Sequence, residues 1–414
     1  MSARSRRLPV LLLFFFLVTA CSFRLTPRKI TATTAVQPAT PVFAITKPPA
    51  VLPSQTTQAL KPTATKLPAT PTVPRTPPAL PPGYVSSILN AKDSPHTYIK
   101  DVCTYLKMKW DPNNAAPGTV VMPIMYHSIT DGNIVEDNQI HQDTLKEQMK
   151  NLKDQGFQTI TSEQLANFLE RNAYIPMRSV ILILDDRRPG AVRQHFMPYL
   201  EDNKWTLTLS FLIGSGEDST DKKPFSFIDA APNEQFNSLW EQMEFYNKSG
   251  RLDIQAHGFV HNINITENST EEFIHDELYK PIAILEQHFG KRPIAYIWPG
   301  GSFTKRGIEV ARQAGYRLGF TVNPRGPVMF NWIPQSDAAD PARPSYIAEG
   351  PAGDPVMTLP RYWDTDASNQ IDNVRIIGKE AAAYAQQVKP TELEYYDIVC
   401  SPVTGPIPTE IPKQ

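Results

Sequence analysis

Residues 181–190 read ILILDDRRPG: four aliphatic residues, two aspartates, two arginines and a Pro-Gly pair. A short apolar run of this kind reads as a buried strand. Asp185 and Asp186 then stand at its C-terminal end, where strands of α/β proteins meet their functional loops. Two more strands end on ligand-type residues. PGTVVMPIMYHSI (117–129) places His127 after an apolar run, and LDIQA (252–256) runs into His257, with His261 following in HGFVH.

Helical patterns separate these strands. HQDTLKEQMKNLKDQGF carries Leu145, Met149 and Leu152 at helical spacing and Gly156 as its stop. TSEQLANFLERN opens on a capping box, Thr161 with Gln164. A helix around 190–202, a strand over 206–213 and a helix around 234–248 follow. Beyond LDIQA, TEEFIHDELYKPIAILEQHFG is helical, PIAYIW a strand, TKRGIEVARQAGY a helix and LGFTV a strand. Repeated β–α units predict a parallel sheet, either doubly wound or closed into a barrel, and the pattern does not choose between them. After Asn323 it dissolves into Pro-, Gly- and Asp-rich sequence, MTLPRYW apart.

The first residues have another purpose. Arg4, Arg6 and Arg7 precede the apolar run LPVLLLFFFLV, and Thr19-Ala20 lead into Cys21. This is the layout of a secretory signal, too short to span a membrane. Its VTAC ending resembles the lipobox of bacterial lipoproteins, which implies lipid on Cys21 and anchorage to the outer face of the membrane. Residues 22–83, rich in Pro, Thr and Ala, lack apolar periodicity and are expected to form a disordered tether. A globular domain over 84–414 completes the expected plan. With 41 basic and 42 acidic residues, nothing in the charge balance suggests nucleic acid as a partner. With Cys21 lipidated, Cys103 and Cys400 remain as either a disulfide or two unrelated buried thiols.

One Asp and two His four residues apart make a set of divalent-metal ligands with positions left open. Taken alone HGFVH and DD are weak signals, and an Asp-Asp beside Arg-Arg also reads as a solvated ion-pair cluster. On successive strand ends of a parallel sheet they gain weight together.

The order YHSI, LDD, HGxxH, WPGG, LPR resembles the polysaccharide deacetylases with a NodB-type catalytic domain, and most closely their extracellular YHSI-type branch. The match runs from about Thr119 to Trp363. It implies a distorted (β/α) barrel of about seven parallel strands and the removal of N-acetyl or O-acetyl groups from an envelope or extracellular polysaccharide. By the same resemblance, Asp186, His257 and His261 match the ligands of a divalent ion, commonly zinc, and Asp185 the catalytic base. Gly300 matches the backbone oxyanion donor and His127 the general acid, no histidine following His288. One acid reaching the metal and its neighbour reaching water requires the strand ladder to end there. Arg361 is expected to supply the charge that keeps Asp185 ionised, because Ile297 stands where the family has an arginine. Trp363 is the loose match to the fourth-motif tryptophan. Trp298 lines a sugar subsite or belongs to the core, Tyr126 packs beside the metal, and both are expected, with Arg361 and Arg187, among the substrate-binding residues.

Arg187 stands where the family has glycine. It is expected to point outward to an anionic group on the substrate, with Arg188-Pro189-Gly190 as a flexible turn carrying both arginines to the cleft mouth. The expected partners are an acetylated polysaccharide and, through Cys21, a membrane; the expected state is a monomer. The rival expectation is a non-catalytic glycan-binding or envelope-organising lipoprotein that keeps the fold.

Overall fold

A computed structural model describes residues 75–186, 188–214, 239–259 and 263–409. Seven parallel strands form the frame: β1 (Val120–Tyr126), β2 (Arg178–Leu184), β3 (Leu207–Phe211), β4 (Leu252–Ala256), β5 (Ala295–Ile297), β6 (Leu318–Phe320) and β7 (Tyr362–Trp363). Their order in space is β6-β5-β4-β3-β2-β1-β7, and a two-residue strand, Gln158–Thr159, also pairs with β2. The two ends approach each other through the chain leading into β7. Leu359 donates to the Gly319 carbonyl and accepts from Thr321 N–H, both at 2.8 Å, while Tyr362 and Trp363 pair with Ile124 and Met125 of β1. The strands therefore curl into the distorted barrel that the resemblance implied.

Alternation along each strand decides what faces the inside. Val180, Leu182 and Leu184 pack with the surrounding helices, alongside Leu145, Met149, Phe196 and Leu200. Ile181 and Ile183 pack instead with Val121, Ile297, Leu318 and Phe320 in the barrel interior. Leu165, Phe168 and Leu169 of the helix Ser162–Arg171 join that interior cluster from one end. That helix begins with the reciprocal Thr161–Gln164 capping box, and its Ser162 amide donates to Asp253 Oδ2 at 2.7 Å.

Two sequence expectations need correcting. The pattern does not dissolve after Asn323: a 32-residue helix, Asp364–Tyr395, follows β7 and lies against β1. Its buried stripe (Ala367, Ile371, Val374, Ile377, Gly378, Ala381, Ala385) includes three alanines and a glycine, and helix and strand approach closely at Gly378. A Cβ on Gly378 would meet Val120 Cγ1 at 2.8 Å and the Gly118 carbonyl at 2.9 Å. The proline-rich tether also does not extend to residue 83 as free chain. Arg75 pairs with Asp397, Pro82 accepts from the Tyr384 hydroxyl, and Leu80 packs beside Leu106 and Tyr396. Residues 1–74, with the signal, Cys21 and most of the tether, lie outside the described residues. Among the described residues no helix is long and apolar enough to cross a membrane.

Cys103 and Cys400 form a disulfide, Cα atoms 5.2 Å apart, joining the helix Val102–Trp110 to the chain after the long helix. It closes a loop with a sequence separation of 297, for which the chain-entropy model gives about 6 kcal/mol, an upper figure that real bridges seldom reach. Cys400→Ser is expected to lower unfolding stability by about 2–5 kcal/mol in a denaturant titration. An unchanged midpoint would show that the bridge contributes nothing.

Candidate active site

The three strand ends converge on one rim. His127 follows β1, Asp185 and Asp186 follow β2, and His257 follows β4. Alternation sends His127, Asp185 and His257 inward, because they continue the parity of Val121, Ile183 and Gln255 rather than that of the helix-facing residues. Asp186 has the opposite parity, yet its side chain reaches His257. Its backbone explains this: φ is +64°, a left-handed conformation that ends the ladder and turns the second carboxylate into the same space.

Each carboxylate meets one arginine and one histidine. Arg361 Nη1 donates to Asp185 Oδ1 at 2.7 Å, and His127 Nε2 lies 3.6 Å from Asp185 Oδ2. Arg188 Nη2 donates to Asp186 Oδ2 at 3.0 Å, and His257 Nε2 lies 3.7 Å from Asp186 Oδ1. All four charged side chains are at most 5% exposed. Burial disfavours the charged form of Asp185, but Arg361, His257 and His127 outweigh it and hold its carboxyl at about 2. Arg361 is anchored in turn, its Nε donating to the Thr321 carbonyl at 2.7 Å. His127 is pushed below its ordinary value by burial, with Asp185 and Asp186 opposing that shift.

A divalent ion suits part of this arrangement. His257 Nδ1 lies 2.9 Å from the Ile297 carbonyl, which fixes the ring and leaves Nε2 toward Asp186. Carboxylate and neutral imidazole are the donors that zinc and similar ions take. Among the described residues no third ligand joins them, and His261 lies outside those residues.

Comparison with known proteins bears on part of the chain. Residues 174–319 match the model of the polysaccharide deacetylase family. The chain carries a polysaccharide deacetylase domain. Two relatives are the poly-β-1,6-N-acetyl-D-glucosamine N-deacetylases of Escherichia coli O157:H7 and Escherichia coli strain K12, 22% and 21% identical over 203 residues. That match spans 43% of this chain and only 30% of each relative. Similar solved structures include IcaB from Ammonifex degensii, at 18% identity and a TM-score of 0.45, covering 64% of this chain and 98% of that one. Another is a de-N-acetylase from Aggregatibacter actinomycetemcomitans, at 16% identity and a TM-score of 0.46, covering 62% and 99%.

Within the deacetylase domain, several expected substrate contacts are core instead. Trp298 is fully buried, on the parity of Tyr296, and donates from Nε1 to the Met357 carbonyl at 2.8 Å, so it lines no sugar subsite. Tyr126 shares the helix-facing parity of Ile124; it is fully buried, its hydroxyl donating to Gln148 Oε1 at 3.1 Å. Arg361, also fully buried, holds Asp185 and is closed to substrate. Gly300 is exposed, with φ +58°, and a Cβ there would meet Asn264 Oδ1 at 2.5 Å. Arg187 lies outside the described residues. Arg188 does not go to the cleft mouth: it turns inward onto Asp186, and Pro189–Ala191 begin a helix rather than a flexible turn.

Two further neighbours complete the site, one matched only loosely in the sequence and one missed by it. Trp363 stacks near His127 with ring centroids 6.1 Å apart. Asp364, directly after it, is fully buried; its Oδ1 accepts from the Thr365 N–H at 2.8 Å and its Oδ2 has no partner. Burial raises the Asp364 carboxyl to about 7. Its protonated form is therefore favoured by folding. The cost of ionising it grows from about pH 4, where the unfolded chain ionises, up to about pH 7 and is constant above. Asp364→Asn is expected to stabilise the protein by about 2–4 kcal/mol at pH 8 and by little at pH 4. Equal effects at both pH values would contradict that burial.

Proposed function

We propose that the protein is a metal-dependent hydrolase that removes N-acetyl groups from an extracytoplasmic amino-sugar polysaccharide, held to the membrane by lipid on Cys21. The observation that supports this best is the pairing of two buried carboxylates, each with its own histidine and arginine, at the rim of the deacetylase barrel. The N-deacetylase activity for which the E. coli relatives are named supports an N-acetylated glucosamine polymer as the substrate class.

Asp186, His257 and His261 would hold the ion. When bound, a divalent ion makes water acidic enough to ionise near neutral pH and polarises the acetyl carbonyl. Asp185, ionised because Arg361 neutralises its surroundings, accepts the proton of the attacking water. At 3.6 Å, His127 is placed to take that proton on. Burial lowers its pKa, so it is neutral at pH 7 and has a free site for the proton, although it is a weaker base than an exposed imidazole. The water oxygen bonds to the carbonyl carbon, the C–N bond breaks, and His127 returns the proton to the departing amine. Acetate and a free amino sugar result. The Gly300 N–H is the candidate donor to the oxyanion of the tetrahedral species.

A second interpretation, a non-catalytic glycan-binding or envelope-organising lipoprotein, is favoured by Arg188, which neutralises the carboxylate that would bind the ion. Incubating the purified protein with N-acetylated β-1,6-glucosamine oligomers and with O-acetylated glycans separates these possibilities. Acetate together with an equal amount of new free amine is expected from the first substrate. Acetate from the second alone would reassign the reaction to ester hydrolysis, and none from either would favour the binder.

A further inference from the structure

Arg188 has no assigned part in the chemistry, yet it is as buried as the groups that do. Its side chain is 5% exposed and its Nη2 donates to Asp186 Oδ2 at 3.0 Å. Its Nε is buried without a partner. It stands two residues beyond Asp186, whose left-handed backbone folds carboxylate and guanidinium toward each other. The contact divides the two oxygens of Asp186: Oδ2 is taken by Arg188, and Oδ1 faces His257 Nε2.

The charge count gives this contact its consequence. Asp185 and Asp186 are matched by Arg361 and Arg188, so the base of the site is balanced before any ion enters. A dication placed between Asp186 and His257 would share one buried carboxylate with a fixed cation. The guanidinium has two opposing effects on such an ion. As a partner on the ligand's second oxygen it orients Asp186, an effect on the order of 10–100-fold in affinity. As a positive charge on the same carboxylate it would repel the ion; for an assumed separation of about 5 Å and an effective dielectric constant of about 20, on the order of 10⁵-fold. Repulsion wins.

We propose that Arg188 is an internal competitor for the divalent ion. It keeps the site intact and charge-balanced when metal-free, and it sets the ion affinity low enough that loading follows the supply of divalent cation. This inference rests on the metal-site assignment made above.

The test is a Zn²⁺ titration of the full chain against a chromophoric chelator, with thermal melting of the metal-free protein as a second readout. Wild type, Arg188→Met, Arg188→Lys and His257→Ala are compared. Arg188→Met is expected to bind Zn²⁺ at least tenfold more tightly than wild type, to melt lower without metal and to recover on adding it. Arg188→Lys, which keeps the charge, is expected to stay near wild type. If the methionine variant does not fold, Arg188→Gln, which keeps a donor without the charge, is expected to show the same tightening. Zn²⁺ binding by the neutral variants equal to or weaker than wild type would overturn the proposal and leave Arg188 as an orienting partner only. No Zn²⁺ binding by any variant, or binding that survives His257→Ala, would instead overturn the metal site itself.

Discussion

Asp185→Asn is expected to lower turnover by about 10²–10⁴-fold, the range that a positioned general base contributes. The carboxylate is fixed from three sides: Arg361 on one oxygen, His127 near the other, and its own amide donating to the Tyr126 carbonyl at 2.9 Å. An asparagine keeps this shape but cannot take a proton from water. At saturating ion the metal content should be unchanged, because Asp186 and His257 keep their places, while the loss of a nearby negative charge weakens the affinity. The variant should also be less stable, since Arg361 loses the charge it was buried against. Turnover within about threefold of wild type would remove Asp185 from the chemistry and leave its ion pair as a structural feature.

Arg361→Met is expected to cost about 3–5 kcal/mol of stability, the penalty for leaving one member of a buried pair alone. Its pH dependence identifies the partner. Because the folded-state pKa of Asp185 is depressed to about 2, its stabilising contribution is fully present above about pH 4 and is lost as pH falls toward 2. Arg361→Met should therefore destabilise strongly at pH 7 and progressively less in acid. The double variant Asp185→Asn/Arg361→Met should be less destabilised than the sum of the single changes, the coupling being measured by the cycle. Additive losses, or a penalty independent of pH, would mean that Arg361 acts mainly through the Thr321 carbonyl.

Much of this was legible in the sequence, for reasons that can be located. ILIL is apolar at every position because both faces of β2 are covered, and the acids appear where that cover stops. The proximity of Arg361 to Asp185 lies across 176 residues. No local pattern encodes it, and only the family resemblance suggested it. Alternation would have separated Tyr126 from His127 and Trp298 from Ile297, since a period of two assigns each pair to opposite faces. The attraction of an aromatic side chain for a sugar obscured that simpler rule. Asp364 was hidden by the loose match at Trp363, although an acid directly after a strand-end aromatic is itself a signal. The long helix was hidden by its own packing: a stripe of Ala, Gly, Val and only two Ile, with Pro390 in the same helix, reads as weak amphipathy, while the close approach at Gly378 requires a residue without a Cβ. Arg188 was least accessible, because whether an arginine after two aspartates turns outward or inward depends on the +64° turn at Asp186.

The most direct test of the account is acetate release from N-acetylated β-1,6-glucosamine oligomers by the purified full chain, before and after exhaustive chelation and after adding back Zn²⁺ or another divalent ion. The account predicts release that chelation abolishes and added ion restores in wild type, and that added ion does not restore in His257→Ala. Release at full rate after chelation, in wild type and His257→Ala alike, would contradict it.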